Sequence, residues 1–450
     1  MELINALNKV TCKIPQKEKV AAILESALVA ADPFEAVRRN LALRDNCLVA
    51  SREDFPITTN TRLVTIALGK AAPTMLRGAR AALGDLLHSG VCVAKHLDPL
   101  EGVSDRITVI RGNHPVPGDG SLAGGHAIQA ALKGLKAEDI VLVLLSGGGS
   151  ALATLPVEGV SLGEIQQMTG VMLRAGVTIT ELNSVRKHLD GIKGGGLLRM
   201  AAPARVIALV LSDVVGNPLD VIASGPAYPD ASTYAEALQI IRKAEKYGEI
   251  PVSIINHLQM GASGLISETV KPGDPVATTA HNFIIGSNIE SCRAAVAKAR
   301  EFGYYAELVT DKLTGEARDA GEYLAGQAKQ YERQTPWMLV FGGETTVTVT
   351  GKGIGGRNQE VALSAVRGLH ALKDRLLITL ATDGEDGPTE AAGAIVDGTT
   401  LERAASAGVN PDKFLKENDA NTFFKKLGDL LVIGPTGTNV NDISFLFGFE

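Results

Sequence analysis

Short apolar runs recur along the chain, and they end at Gly, Asp, Asn or Pro. Between several of them lie amphipathic stretches long enough for helices, such as residues 125–135 and 162–175. Continuous β-branched runs that alternate with helices are typical of a parallel sheet covered on both faces. We therefore predict a doubly wound α/β/α fold for the first part of the chain. Its strands are predicted at residues 63–68, 107–110, 140–145 and 206–211.

The pattern changes between residues 231 and 275, where a polar helical stretch gives way to Gly and Pro. We place a domain boundary here, with domains at residues 1–270 and 271–450, and expect about the last 20 residues to pack back on the first domain. The run TTVTVT at residues 345–350 alternates, which predicts an antiparallel or edge strand and hence a mixed sheet. Further strands are predicted at residues 280–285, 306–310, 337–341, 376–381 and 430–433.

Composition narrows the class of protein. With 450 residues, 45% hydrophobic and 21% charged, the chain is globular and too long for one core. A net charge of −6, the lack of a basic tract and only 4% aromatic residues disfavour nucleic acid and anionic membranes as partners. Four scattered cysteines, no secretory segment and no apolar run long enough to span a bilayer predict a soluble cytoplasmic protein. The formation of a homo-oligomer stays open.

A glycine-rich turn directly follows the apolar run at residues 140–145. It consists of Ser146, Gly147, Gly148, Gly149 and Ser150, and a helical pattern comes after it. Three glycines allow successive backbone N–H groups to face an anion, and the N-terminus of a helix adds its dipole. We predict that this loop binds phosphate or carboxylate; a plain glycine turn is the alternative.

Cations lie beside glycines at two places. Lys70 follows a strand and Gly69, although the segment lacks the first glycine and the Ser or Thr of a Walker A loop. Segment 182–197 places Asn183, Arg186 and Lys187 on overlapping helical faces and adds Lys193. In an acidic protein this local positive charge suits a small carboxylate or a phosphate. Solvated surface cations are the alternative interpretation.

Two aspartates come just after apolar runs, Asp213 in LSDVV and Asp383 in ATDGEDG. Carboxylates at strand ends often hold Mg²⁺ or orient a nucleophile, although Asp is also common in turns. These two residues are our candidates for a metal site.

A second glycine loop precedes Arg357 in the segment GGETTVTVTGKGIGGRNQE. Its glycines formally match the G-x-G-x-x-G pattern of a dinucleotide-binding loop. Gly355 and Arg357 make the loop cationic, however, and the preceding strand alternates as a half-exposed strand does. We favour phosphate binding by Gly353, Gly355 and Gly356, and a nicotinamide cofactor is the alternative.

Taken together, these segments resemble the glycerate 2-kinase family, and the resemblance covers residues 18–447 in the family's order. It implies a Rossmann-like glycerate kinase N-terminal domain followed by a MOFRL domain, with the active site in the cleft between them. It also implies phosphorylation of D-glycerate to 2-phosphoglycerate with ATP and Mg²⁺, with Lys70 and Arg357 as active-site cations. The segments that carry it are SGGGSAL, LNSVRKHLDGIKGGGL, LSDVVGNPLDVIASGPAYPD, GGETTVTVTGKGIGGRNQE and ATDGEDGPTEAAGA.

The residues agree with phosphoryl transfer, which needs charge neutralisation and positioning more than a covalent catalyst. The sequence has no G-x-S-x-G elbow and no protein-kinase signatures. Two other functions stay open on the residues alone: an NAD(P)H-dependent hydroxypyruvate reductase and a non-catalytic carboxylate-binding protein.

Overall fold

The computed structural model describes residues 2–87, 89–97, 106–331 and 333–449, and its contacts divide into two compact units. The parallel-sheet unit contains Pro33–Ser212 and Asn217–Ile285. The mixed-sheet unit contains the residues before Pro33, the short segment Asp213–Gly216 and the residues after Ile285. Within the described residues, no helix is long and apolar enough to cross a membrane.

Helices and strands alternate along most of the chain. The helices are α1 Glu2–Lys9, α2 Lys17–Ala30, α3 Pro33–Asn40, α4 Ala72–Leu83, α5 Asp119–Ala131, α6 Gly149–Leu152, α7 Leu162–Arg174, α8 Ile179–Lys187, α9 Gly196–Ala201, α10 Tyr234–Ala244, α11 Val252–Ala262, α12 Asn288–Glu301, α13 Ala317–Gln330, α14 Arg357–Leu369, α15 Thr400–Ser406, α16 Pro411–Lys416 and α17 Ala420–Leu427. The strands are β1 Leu41–Arg44, β2 Cys47–Ala50, β3 Glu53–Pro56, β4 Leu63–Leu68, β5 Gly90–Ala94, β6 Ile107–Arg111, β7 Ile140–Leu145, β8 Arg205–Leu211, β9 Ala280–Gly286, β10 Tyr305–Leu313, β11 Trp337–Gly343, β12 Arg375–Ala381, β13 Gly393–Asp397, β14 Leu430–Leu431 and β15 Asp442–Gly448.

The larger sheet of the parallel-sheet unit has the strand order β6-β5-β4-β7-β8-β9, and the pairs from β6 to β8 are parallel. Every residue of β4 and β7 is buried. Both faces of these strands are covered, which explains their unbroken apolar sequences. The predicted doubly wound α/β fold is confirmed.

Helices α7, α8, α10 and α11 form a separate apolar cluster in this unit. Three of them begin with a capping box, in which a hydroxyl and a glutamate three residues later satisfy each other's backbone N–H groups. In α8 the pair is Thr178 and Glu181. This cap fixes where α8 starts, and hence where its basic last turn lies.

The mixed sheet has the order β10-β11-β15-β12-β13-β14, and only β10 and β11 pair in parallel among its described neighbours. Apolar clusters cover both faces. Side chains of β15 alternate between them: Phe445 and Phe447 join α1, α2 and α12 on one face, while Leu446 joins α13, α14 and α17 on the other.

This division differs from the predicted domains in two respects. The segment before Pro33, which the sequence pattern assigns to the N-terminal domain, belongs to the mixed-sheet unit because Leu7 and Leu24 are buried in its core. Residues 271–285 belong to the parallel-sheet unit. The chain's end forms β15, a central strand of the mixed sheet paired with both β11 and β12, and it packs on the segment before Pro33, where the Thr438 hydroxyl donates to the Ala31 carbonyl at 2.6 Å.

The predicted strand at residues 345–350 is wrong. The segment forms only an isolated bridge between Thr346 and Glu316. The Thr346 N–H donates to the Gly315 carbonyl at 2.8 Å, the Thr348 hydroxyl donates to Glu316 at 2.7 Å, and the Thr350 N–H donates to Asn418 at 2.8 Å. Alternating threonines fit the strand pattern, but side-chain acceptors distant in sequence took the place of a strand ladder.

Candidate functional site

Two glycine-containing loops lie side by side in the parallel-sheet unit. The loop with Gly69 and Lys70 follows β4, and the loop Ser146–Ser150 follows the adjacent strand β7. Within the sheet, β5 and β6 follow in order on one side of β4, whereas β7 and β8 follow in order on its other side. This is the switch point of a doubly wound sheet, where ligands bind beyond the carboxyl ends of the strands.

Hydrogen bonds join these two loops. The Lys70 N–H donates to the Gly147 carbonyl at 2.9 Å, and the Ala71 N–H donates to Ser146 Oγ at 3.0 Å. Gly69 has φ +133°, and a Cβ there would collide with Ser146. Ser146 therefore has a structural role in the loop, because its hydroxyl accepts from the neighbouring backbone.

Lys70, Gly148 and His114 converge at the tip of the loop. Gly148 has φ +82°, and a Cβ there would lie 3.2 Å from both Lys70 Cγ and His114 Cδ2. Lys70 is exposed and has no carboxylate within 4 Å among the residues that the structure describes. Its charge is thus available to an anion that approaches the glycine loop.

His114 was missed by the sequence prediction. Burial lowers its pKa, and the charges of Lys70 and then Lys95 lower it further. His114 therefore stands next to the loop as a neutral imidazole near two cations. The available signal was its position in GNHPVPG, just after β6, but a lone His after a strand does not reveal which loop it contacts.

The helix that follows the glycines is shorter than predicted. α6 has only four residues, Gly149–Leu152, so it has little dipole to offer an anion. The Ser150 hydroxyl already has a partner within the protein, because its Oγ lies 2.8 Å from Ser224 Oγ. Ala223 and Ser224 both have positive φ, at 49° and 62°. The backbone that contacts Ser150 is therefore held in an energetically costly conformation.

The basic segment around α8 is largely neutralised inside the unit. Lys187 is only 6% exposed and contacts Asp230 at 3.2 Å and Asp220 at 3.6 Å. Lys193 is buried against Asp190; burial lowers the pKa of Lys193, and Asp190 opposes that shift. A substrate would have to compete with these internal carboxylates for either lysine.

Asn183 and Arg186 belong to the same segment. Asn183 is buried. Arg186 has no ion pair within 4 Å among the described residues, and burial lowers its pKa while Asp190 raises it. Arg186, Ser150 and Lys193 line a cavity of about 10 Å³, enough for one water at most. Binding of a substrate at this point would require the side chains to move.

Arg357 is the first residue of α14 and is paired with two carboxylates. Its Nε donates to Asp442 at 2.5 Å, and its Nη1 lies 2.8 Å from Glu344. Burial opposes its charge, but Asp442 and Glu344 outweigh burial and raise the pKa of Arg357. It is therefore a fixed, permanently charged group whose field is largely offset by its partners.

The second glycine loop, residues 351–356, forms hydrogen bonds within the protein and packs closely against other parts of the chain. The Gly351 and Gly353 N–H groups donate to Asn418 Oδ1 (2.9 Å) and to the Glu417 carbonyl (2.8 Å). Added Cβ atoms at Gly353 and Gly356 would collide with Asp419 and Asp386. Close packing against the chain itself thus explains the formal G-x-G-x-x-G match, without a dinucleotide.

Asp386 occupies the N-terminus of α14. Its carboxylate accepts from the backbone N–H groups of Asn358 at 3.1 Å and Gln359 at 2.9 Å. Burial raises the pKa of Asp386 to about 6, although these N–H bonds oppose the shift. An internal carboxylate therefore already holds the anion position of this helix.

The two candidate metal ligands, Asp213 and Asp383, both belong to the mixed-sheet unit, and each lies just beyond a strand, β8 or β12. Asp383 also accepts from the Glu385 N–H at 3.2 Å. No group of three or more His, Cys, Asp or Glu side chains suited to a metal occurs among the described residues. Proteins usually hold Mg²⁺, however, with one or two carboxylates together with the phosphates of the substrate. Asp213 and Asp383 are carboxylates of the kind that such a site uses.

Fold and geometry define a two-unit α/β protein whose parallel sheet carries a candidate anion site at its switch point. The chain belongs to the glycerate 2-kinase family. A family model described as a domain of unknown function, DUF4147, matches residues 19–259, and the MOFRL family model matches residues 337–442.

Its relatives match over nearly their full length. A glycerate 2-kinase from Pyrococcus horikoshii is 41% identical over 94% of this chain and 94% of its own. A D-glycerate 2-kinase from Thermotoga maritima is 43% identical over 88% of this chain and 92% of its own. The crystal structure of a Thermotoga maritima glycerate kinase superposes with a TM-score of 0.84 at 39% identity, covering 96% of this chain and 100% of that one. A putative hydroxypyruvate reductase from Agrobacterium vitis is less similar, at 36% identity over 96% of this chain and 94% of its own.

Proposed function

We propose that this protein is a glycerate 2-kinase, which transfers the terminal phosphoryl group of ATP to D-glycerate and forms 2-phosphoglycerate. The observation that carries the proposal is the juxtaposition of Lys70 with the Ser146–Ser150 loop at the switch point of the parallel sheet. A cation without a carboxylate partner among the described residues, next to glycines that permit close approach, suits an anionic substrate or a transferring phosphate. The named activities of the relatives support the same reaction.

In this proposal Lys70 and the backbone of Gly147–Gly149 bind a phosphate or the glycerate carboxylate. Arg186 and Asn183 are the further candidates, because Lys187 and Lys193 are paired with aspartates. Arg357 and the Gly353–Gly356 loop contribute from the mixed-sheet unit, where Arg357 is held in place by its two carboxylates.

Asp213 and Asp383 would hold Mg²⁺, which supplies charge neutralisation to the phosphates of ATP when it is bound. The rest of the proposed chemistry depends on protein groups that position the glycerate hydroxyl and stabilise negative charge.

A nicotinamide-dependent reductase is less well supported. Its motif is the G-x-G-x-x-G match, and those glycines pack against Asp386, Glu417 and Asp419. We also propose a cytoplasmic location, which is supported by four free cysteines, namely Cys12, Cys47, Cys92 and Cys292.

One experiment tests the function. Purified protein is incubated with D-glycerate, ATP and Mg²⁺, ADP release is followed, and the product is identified by NMR. NADH oxidation with hydroxypyruvate is measured in parallel. We expect ADP and 2-phosphoglycerate and no NADH loss. NADH consumption, or the absence of ADP release with intact protein, would overturn the proposal.

A further inference from the structure

The mixed-sheet unit contains a cavity of about 660 Å³, within the size range of small-molecule sites. It lies between residues 344–356, the first turn of α14 and Asn418. D-glycerate is a three-carbon acid and would fill only a small part of it. The size therefore favours a larger ligand.

The buried polar side chains Glu360 and Asn418 of the cavity wall are already satisfied by internal partners. Glu360 accepts from Arg318 at 2.8 Å and from Asn418 at 3.0 Å. Asn418 in turn accepts from the Gly351 N–H at 2.9 Å. These bonds make the wall rigid without a ligand, as preformed sites usually are.

Apart from Arg357, the charge of the cavity wall does not favour an anion. The guanidinium of Arg357 is offset by Glu344 at 2.8 Å and Asp442 at 2.5 Å. Glu360 adds another carboxylate, paired with Arg318. Apart from Arg357, which the proposed function assigns to the phosphates, the charged side chains that line the cavity are the carboxylates of Glu344 and Glu360, so the rest of the cavity favours an uncharged part of a ligand.

Two kinds of group remain for recognition. Val347 and Val349 line the cavity with aliphatic surface, and Val349 is 72% exposed although it is apolar. Thr345 also lines the cavity and is only 6% exposed, and its hydroxyl forms no hydrogen bond within the described part of the chain. A flat aromatic base with a polar edge matches this combination: its faces pack on the valines, and its edge bonds to the hydroxyl.

We propose that this cavity binds the nucleoside part, adenine and ribose, of the phosphoryl donor. The proposal rests on the function proposed above, since an ATP-dependent kinase must hold a neutral nucleoside beside its charged phosphates. Thr345, Val347 and Val349 are the recognition residues, and Glu360 and Asn418 keep the wall in shape.

Two variants test it. Val349→Asp places a carboxylate in the cavity at an exposed position, and Thr345→Val replaces the hydroxyl with a methyl group of similar size. Val252→Asp is the matched control, because Val252 is 66% exposed on α11 in the parallel-sheet unit. Calorimetry measures the Kd of ADP and, separately, of inorganic tripolyphosphate, and steady-state kinetics gives the KM of ATP and of D-glycerate.

We expect Val349→Asp to raise the Kd of ADP and the KM of ATP about tenfold or more, and Thr345→Val to raise them several-fold, by loss of one hydrogen bond. The KM of D-glycerate, the Kd of tripolyphosphate and all values of Val252→Asp should stay within twofold of the wild type. Wild-type ADP binding in both cavity variants would overturn the nucleoside site while leaving the kinase function intact. An equal loss of tripolyphosphate and ADP binding would also overturn it, because the phosphates would then be the affected part. If the wild type does not phosphorylate glycerate but the cavity variants still bind ADP more weakly than it does, the nucleoside site is supported and the kinase function is refuted.

Discussion

At the scale of single residues, the candidate site depends on which cations lack internal partners. Lys187, Lys193 and Arg357 are each within ion-pair distance of a carboxylate, whereas Lys70 has none within 4 Å among the described residues. Lys70 could be predicted because it follows a strand and a glycine. The internal pairing of Lys187 and Arg357 could not, because Asp230 and Asp442 are distant in sequence from the cations that they contact.

We expect Lys70→Met to lower kcat by roughly 10²–10³-fold, the usual effect of removing one group that stabilises charge in a transition state. Lys133→Met, at an exposed lysine of the same unit, is the control and should have wild-type kinetics. Both proteins should melt at the wild-type temperature, because neither lysine has an ion pair with a described residue to lose. A kcat within threefold of the wild type for Lys70→Met would remove this residue from the mechanism.

Gly148 offers a test that separates strain from function. Gly148→Ala and Gly134→Ala both put a side chain at positive φ (+82° and +69°), and each should cost about 1–2 kcal/mol of stability. Only at Gly148 would the new methyl group contact Lys70 and His114; Gly134 faces open space. We expect similar falls in Tm but a rise of KM by an order of magnitude in Gly148→Ala alone. Equal kinetics for the two variants would mean that the loop is only a turn.

At the scale of elements, the N-terminus of α14 shows how a sequence motif can mislead. A glycine loop before a helix predicts an anion site, yet Asp386 fills that position from the loop that follows β12. The flanking strands β11 and β12 followed the apolar pattern closely. The carboxylate cap depends on how the loop after β12 returns to α14, and the local sequence does not record that.

The raised pKa of Asp386 predicts a pH dependence of stability. Its pKa is about 6 in the folded protein, compared with the ordinary value of 3.8 expected in the unfolded chain. The folded protein therefore binds this proton more tightly than the unfolded chain does. The stabilisation by this group is complete below about pH 4 and is lost as the pH rises through 6. The Tm of the wild type relative to that of Asp386→Asn should therefore fall between pH 4 and pH 7. A difference in Tm that stays constant or grows over this range would contradict the shift.

At the scale of the whole molecule, the apolar pattern predicted two α/β units and the strands β4, β6, β7 and β8 of the parallel sheet, but not β5. It did not predict which unit the segment before Pro33 joins, because an amphipathic helix such as α2 records only that one face is buried. Its partner, α12, lies in the second half of the chain, far from α2 in sequence. The same limit applies to β15, whose apolar run does not show that it pairs with β11 and β12.

Lys70 and Arg357 belong to different units, and we propose that both act on the transferring phosphoryl group. In that case each single change to Met lowers kcat, and the double variant loses less than the product of the single losses, because the two cations stabilise one charge. Single-turnover transfer from ATP to D-glycerate is the measurement. Arg357→Met also leaves Asp442 and Glu344 without their cation, so Arg357→Lys, which keeps the charge, and the Tm of every variant are included. As a control, Arg293→Met at an exposed arginine of α12 should leave the rate of Lys70→Met unchanged. Losses that multiply fully in the double variant would show that Lys70 and Arg357 act independently.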